Sequence, residues 1–145
     1  MPEAQATPAP ALTLLAFDFG LKRIGVAIGN TVSASARPLA TLEADSNDAR
    51  FSAIKAWIEE WQPNALVVGK PLDSEGRATE MTARAERFGR QLEGRFGLPV
   101  KFADERFTSA VAQDALRPNR KNKAKIDAAA AALILQAWLD QPTED

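Results

Sequence analysis

Apolar positions along this 145-residue chain follow a strand period in some stretches and a helix period in others, and the changes between them divide it into elements. Residues 12–18, LTLLAFD, form a near-continuous apolar run of strand length, the pattern of a strand covered on both faces. In residues 23–29, RIGVAIG, the β-branched Ile24, Val26 and Ile28 alternate onto one side. The short Phe19–Lys22 connection, in which Gly20 lets the backbone turn sharply, joins the two runs as an antiparallel hairpin. Residues 36–42, ARPLATL, read as a third strand, placed at an edge because Pro38 cannot donate to a ladder.

From Asp45 the period lengthens. Asp45, Ser46 or Asn47 can cap a helix in which Phe51, Ile54, Trp57, Ile58 and Trp61 recur at helical spacing until Pro63. Ala65–Gly69, ALVVG, is a short buried strand, and KPLDSEGRA, residues 70–78, is a loop rich in turn formers. A helix is predicted from about Thr79 to Phe96, closed by Gly97 and Pro99; VKFADER, residues 100–106, begins as a strand and finishes in charge. Thr108 or Ser109 can cap a short helix that stops before Pro118, and the run RPNRKNKAK, residues 117–125, leads into an alanine-rich helix from Ile126 to Leu139. The fold class is therefore α/β: a mixed five-stranded sheet, an antiparallel meander followed by parallel strands, with helices on both faces. Residues 12–140 form a single domain, between an aperiodic tail of Ala, Pro, Gln and Thr over residues 1–11 and a short carboxyl-terminal tail over residues 141–145.

Composition narrows the chemistry. With 46% hydrophobic and 26% charged residues and a net charge of −1, the chain is of ordinary globular type, so any affinity for nucleic acid has to come from local patches. It contains no cysteine and no histidine, which removes disulfides, thiol nucleophiles, Ser-His-Asp triads and imidazole ligands and leaves carboxylates, lysine and hydroxyls. No leader pattern opens the chain and no stretch approaches the roughly 18 apolar residues of a membrane span. A cytoplasmic protein without membrane contact is expected.

In sheets of this kind sites form at the carboxyl ends of strands. Three acids sit at junctions with apolar elements: Asp18 after the first strand, Glu105 after the last, and Asp127 at the start of the last helix. If the first and last strands lie near one another they can converge, and crowded carboxylates are held by hard divalent cations, Mg²⁺ or Mn²⁺. Such ions can activate water and stabilise the attacking and leaving oxygens of a phosphodiester. The same residues also fit a plainer reading, with Asp18 as a solvated turn residue, Glu105 paired to Arg106 and Asp127 as a first-turn helix acid. The acid-free run bearing Arg117, Arg120, Lys121, Lys123 and Lys125 is either a phosphate-holding patch beside Asp127 or a solvated loop. Thr108 and Ser109 are phosphate ligands or simple caps, and Lys70 and Arg77 charge a loop able to approach a substrate backbone. Trp57, Trp61 and Trp138 lie on apolar helical faces and belong to the core.

Taken together, AFDFGLKRIGVAIGN, VVGKPLDSEG, FADERFTS and KIDAAAAALILQ, in that order from about Leu14 to Leu139, resemble the YqgF family, also called RuvX, of Holliday junction resolvase-like proteins. The resemblance implies a ribonuclease-H-like fold and a Mg²⁺- or Mn²⁺-dependent nuclease, acting on the 5′ end of precursor 16S ribosomal RNA or on branched DNA. It makes Asp18, Glu105 and Asp127 the metal ligands and catalytic acids, and it places Lys22, Arg23, Lys70, Arg77, Arg106, Thr108, Ser109, Arg120, Lys121, Lys123 and Lys125 against nucleic acid. Two positions depart from the family pattern: Lys70 where an apolar residue is common, and Asp73 where asparagine is common. A junction resolvase needs two active sites and hence a homodimer, whereas a monomer favours RNA processing. DFGLKRIGVAIGN also resembles the first phosphate hairpin of actin-like ATPases and sugar kinases, which need two such domains. A noncatalytic nucleic-acid-binding assembly module is the reading from another class.

Overall fold

The structure, a computed structural model, describes residues 12–104 and 123–141. The expected tail over residues 1–11, the short helix before Pro118 and residues 142–145 of the expected carboxyl-terminal tail lie outside the described residues. Five strands and three helices are described: β1 (Thr13–Asp18), β2 (Arg23–Asn30), β3 (Ser35–Glu43), α1 (Asn47–Trp61), β4 (Ala65–Lys70), α2 (Glu80–Phe96), β5 (Val100–Asp104) and α3 (Lys123–Asp140). The strand order is β3-β2-β1-β4-β5. β1 pairs antiparallel with β2 and β2 with β3, whereas β1–β4 and β4–β5 are parallel.

The central place of β1 explains its unbroken apolar run. Leu15 and Phe17 enter one buried cluster with Phe51 and Ile54 of α1 and Phe88 and Leu92 of α2; Leu14 and Ala16 enter a second cluster with Ala131, Ile134 and Leu135 of α3. Helices thus cover both faces, and the sheet separates two unlike cores. The first is aromatic, with Phe17 set edge-on to Phe88 at 5.8 Å and Phe19 against Phe88 at 5.0 Å. The second is built largely from small residues, among them Ala16, Ala27, Ala65, Ala103, Ala131 and Ala132, which bring α3 close to the sheet.

Local signals end the elements where the chemistry requires. Ser46 caps α1 through its hydroxyl, which accepts from the Ala49 N–H at 3.1 Å; Thr79 and Thr82 form a reciprocal capping box on α2; and Gly97, at φ 68°, closes α2 in the left-handed region. Pro38 lies in β3, an outer strand, and the register shift facing Val26 and Ala27 leaves Leu39 as the extra residue of a bulge. Trp57 and Trp61 pack against the first core and Trp138 against the second.

Two features differ from the sequence reading. α3 begins at Lys123 instead of Ile126. Lysine and alanine both favour the helix, so the end of the basic run is drawn into it. β5 is an edge strand separated from β1 by β4, so the strand bearing the last acid is a neighbour of the first only across about 10 Å of sheet.

Candidate functional site

β1, β4 and β5 run parallel and end on the same edge of the sheet, at Asp18, Lys70 and Asp104. Alternation along β1 puts Asp18 on the same face as Leu14 and Ala16, the face covered by α3. Alternation along β2 puts Arg23 and Gly25 on that face with Ala27. Gly25 is the register partner of Asp18.

The opening of α3 rests directly on this glycine. A Cβ at Gly25 would lie 1.8 Å from the carbonyl oxygen of Asp127 and 3.1 Å from the amide nitrogen of Ala128, so the backbone of α3 occupies the volume that any side chain would need. Asp18 and Asp127, distant in sequence, are therefore brought together over one strand position. The Arg23 Nε–H donates to Asp127 Oδ2 at 2.7 Å, with the two side chains 30% and 26% exposed. That hydrogen bond, reinforced by the carboxylate charge, raises the pKa of the Arg23 guanidinium against the opposing effect of burial. Because α3 starts at Lys123, Asp127 stands beyond its first turn, which contains no acid. A favourable helix-dipole position does not account for Asp127 there, since that effect fades within the first turn.

Glu105, which follows Asp104 directly, lies outside the described residues, as do Arg106, Thr108, Ser109, Arg120 and Lys121. Among the described residues no group of three acids is close enough to hold an ion. Asp104, adjacent to Ala103 of the α3 core, takes the opposite face.

The expected cations divide. Lys22 is exposed in the turn that follows Asp18, and Lys123 and Lys125 fall in the opening of α3, four and two residues before Asp127. Lys70 instead turns to α2, with its Nζ 3.5 Å from Glu86 Oε2. Arg77 pairs with Asp73 Oδ2 at 3.0 Å and also with Glu75, while Asp73 Oδ1 accepts the N–H groups of Glu75 and Arg77 at 2.9 and 2.8 Å. The aspartate that departs from the family pattern thus closes its own loop and offsets the charge of Arg77. That side chain is 71% exposed, so the pairing is weak and leaves Arg77 accessible.

Gly25 was not singled out from the sequence, although a signal was present: an isolated glycine inside a β-branched strand marks close approach of another backbone. The pairing of Arg23 with Asp127 had no such signal, because 104 positions separate the two residues.

A family model described as RuvX, Holliday junction resolvase, matches residues 12–141. A protein of Dechloromonas aromatica (strain RCB) named "Putative pre-16S rRNA nuclease" is 53% identical over 134 residues, spanning 90% of this chain and 92% of that protein. Among solved structures, the T. thermophilus RuvC in complex with Holliday junction substrate superposes with a TM-score of 0.51 at 15% identity, covering 89% of this chain and 96% of that one. The Fowlpox virus resolvase in complex with Holliday junction DNA gives a TM-score of 0.53 at 13% identity, covering 90% and 100%. At these identities the structural likeness establishes the fold, which is ribonuclease-H-like.

Proposed function

Since the chain belongs to the RuvX Holliday junction resolvase family, we propose that it is a divalent-metal-dependent endonuclease that cuts structured nucleic acid, with the 5′ end of precursor 16S ribosomal RNA as its substrate. The observation that carries this reading is the meeting of Asp18 and Asp127 over Gly25, at the sheet edge where the parallel strands end. A single domain over residues 12–140 holds the site.

The donor chemistry fits a hard cation. Asp18 and Asp127 offer oxygen ligands on one face, and a chain without histidine or cysteine has no softer side-chain ligands to offer in their place beyond methionine. Asp18, Asp127 and Glu105 would hold Mg²⁺ or Mn²⁺, which when bound supplies activation of water and charge stabilisation at the phosphodiester oxygens. The chain's own residues do the rest. Arg23 fixes the Asp127 carboxylate, Gly25 sets the depth of α3, and Lys22, Lys123 and Lys125 bring positive charge to an otherwise acidic spot that would repel a polyanion. Arg106, Thr108, Ser109, Arg120 and Lys121 extend this contact to nucleic acid, and the exposed Arg77 adds charge in the loop after β4, while Lys70 is turned to Glu86 on the other face of the sheet.

A second reading, resolution of branched DNA by a homodimer, is favoured by the description of the family model and by the likeness to resolvases bound to junction DNA. No helix among the described residues is long and apolar enough to cross a membrane.

The test is cleavage of an RNA carrying the precursor 5′ extension and of a four-way DNA junction, each with Mg²⁺ or Mn²⁺ and with chelator. RNA is expected to be cut faster, and chelator to stop the reaction. Cleavage that persists in chelator, or clean protein that cuts neither substrate, overturns the proposal. A junction cut faster than RNA, together with a dimeric mass in solution, favours the second reading.

Replacing Lys121, Lys123 and Lys125 by glutamine is expected to weaken binding and to lower the slope of log affinity against log salt by about 2, as loss of some three phosphate contacts requires. Binding measured across a salt series checks this, and an unchanged slope removes these lysines from the interface.

A further inference from the structure

Arg23 stands where a divalent cation would have to compete for Asp127. Its guanidinium reaches the carboxylate from β2 through Nε, at 2.7 Å. It does so on the face shared with Asp18, two positions before the glycine on which α3 rests. Two carboxylates gathered on one face repel each other unless a positive charge offsets them. Among the described residues no third acid completes a cation cage, and the positive charge at Asp127 comes from the chain itself. Ion pairs of this exposure add little stability, so packing and stability alone give a weak reason for a cation at this spot.

We propose that Arg23 is a displaceable counter-ion for Asp127, which holds that carboxylate in place while the site carries no divalent cation and yields it when the cation binds. The proposal rests on the reading of Asp18 and Asp127 as metal ligands. Arg23 is then a positioning residue with two opposed effects. It keeps α3 docked in the metal-free protein, and it lowers the affinity for the cation by competing for the same oxygen and by repelling a second positive charge. A residue of purely structural use would have only the first effect, and its removal would weaken cation binding by loosening Asp127.

Mn²⁺ alone, titrated into the full chain without nucleic acid and followed by calorimetry or by the resonance signal of the free ion, separates these outcomes. Arg23→Gln is expected to bind Mn²⁺ about fivefold more tightly than the unchanged protein, the size expected for removing one charge near a divalent ion at a solvent-exposed site. The same variant is expected to lose only a little thermal stability without metal, through the unbalanced repulsion of the two carboxylates, and to gain more on addition of Mn²⁺ than the unchanged protein does. Arg23→Lys, which keeps the charge and loses the Nε contact, should fall between the two in Mn²⁺ affinity; it carries the test if the glutamine variant does not fold. Affinity in either variant that is equal to or weaker than that of the unchanged protein overturns the proposal. If the unchanged protein binds Mn²⁺ no better than Asp127→Asn does, the metal-site reading itself falls and takes this inference with it.

Discussion

Asp18→Asn is expected to slow Mg²⁺-dependent cleavage on the order of a thousandfold, about 4 kcal/mol of transition-state stabilisation, while nucleic-acid binding stays equal or tightens. Asp18 ends the central strand, whose backbone is paired on one side to β2 and on the other to β4, so a near-isosteric amide leaves the strand undisturbed. On the proposed reading it removes one anionic oxygen ligand. A neutral side chain also lessens repulsion of the phosphate backbone, which is why binding and turnover should move apart. Single-turnover cleavage at saturating protein, with affinity measured separately, checks both halves. The same split is expected of Glu105→Gln and Asp127→Asn. Cleavage by Asp18→Asn within tenfold of the unchanged protein would take Asp18 out of the site.

How far the sequence reveals this arrangement depends on whether the information is local. The apolar run of β1 reads as a strand covered on both faces because burial on each side leaves no polar positions, and the structure places Leu15 and Phe17 in one core and Leu14 and Ala16 in the other. The ends of α1 and α2 were readable for the same reason, α1 to within the three candidates Asp45, Ser46 and Asn47: Ser46, Thr79 and Gly97 satisfy orphan backbone groups within a few residues of themselves. Strand order is a different kind of fact. Nothing in VKFAD tells whether that strand lies beside LLAFD or one place further out, and it lies further out, with β4 between them. The start of α3 was obscured by charge, since a run of lysines looks like a loop until a packed face downstream carries the helix back through Lys123. Long-range pairing was illegible altogether. Arg23 reads as a cation beside a turn, yet it faces the Asp127 carboxylate 104 positions away, and only the folded chain shows that partner.

Gly25→Ala is expected to damage both the fold and the site. The added Cβ would sit 1.8 Å from one backbone atom of α3 and 2.4 Å from the next, and neither can rotate aside as a side chain would. Either β2 bends or the start of α3 rises from the sheet by about an ångström or more, and overpacking of this kind costs roughly 3 kcal/mol, or about 10 °C in unfolding temperature for a chain of this size. The helix is the softer partner, because β2 is held on both sides by β1 and β3, whereas among the described residues the beginning of α3 meets the sheet at this point through the contact itself and Arg23. Lifting α3 draws Asp127 away from Asp18, and misplacement by about 1 Å costs on the order of a hundredfold in rate. Cleavage measured well below the unfolding temperature should therefore fall even where the variant is fully folded. Gly94→Ala supplies the contrast. It lies within α2 with nothing inside 4 Å of its added Cβ, so the same substitution there should stabilise by roughly 0.5 kcal/mol and leave activity unchanged. If Gly25→Ala behaves like Gly94→Ala, the close seat of α3 on β2 is not what holds the two acids together.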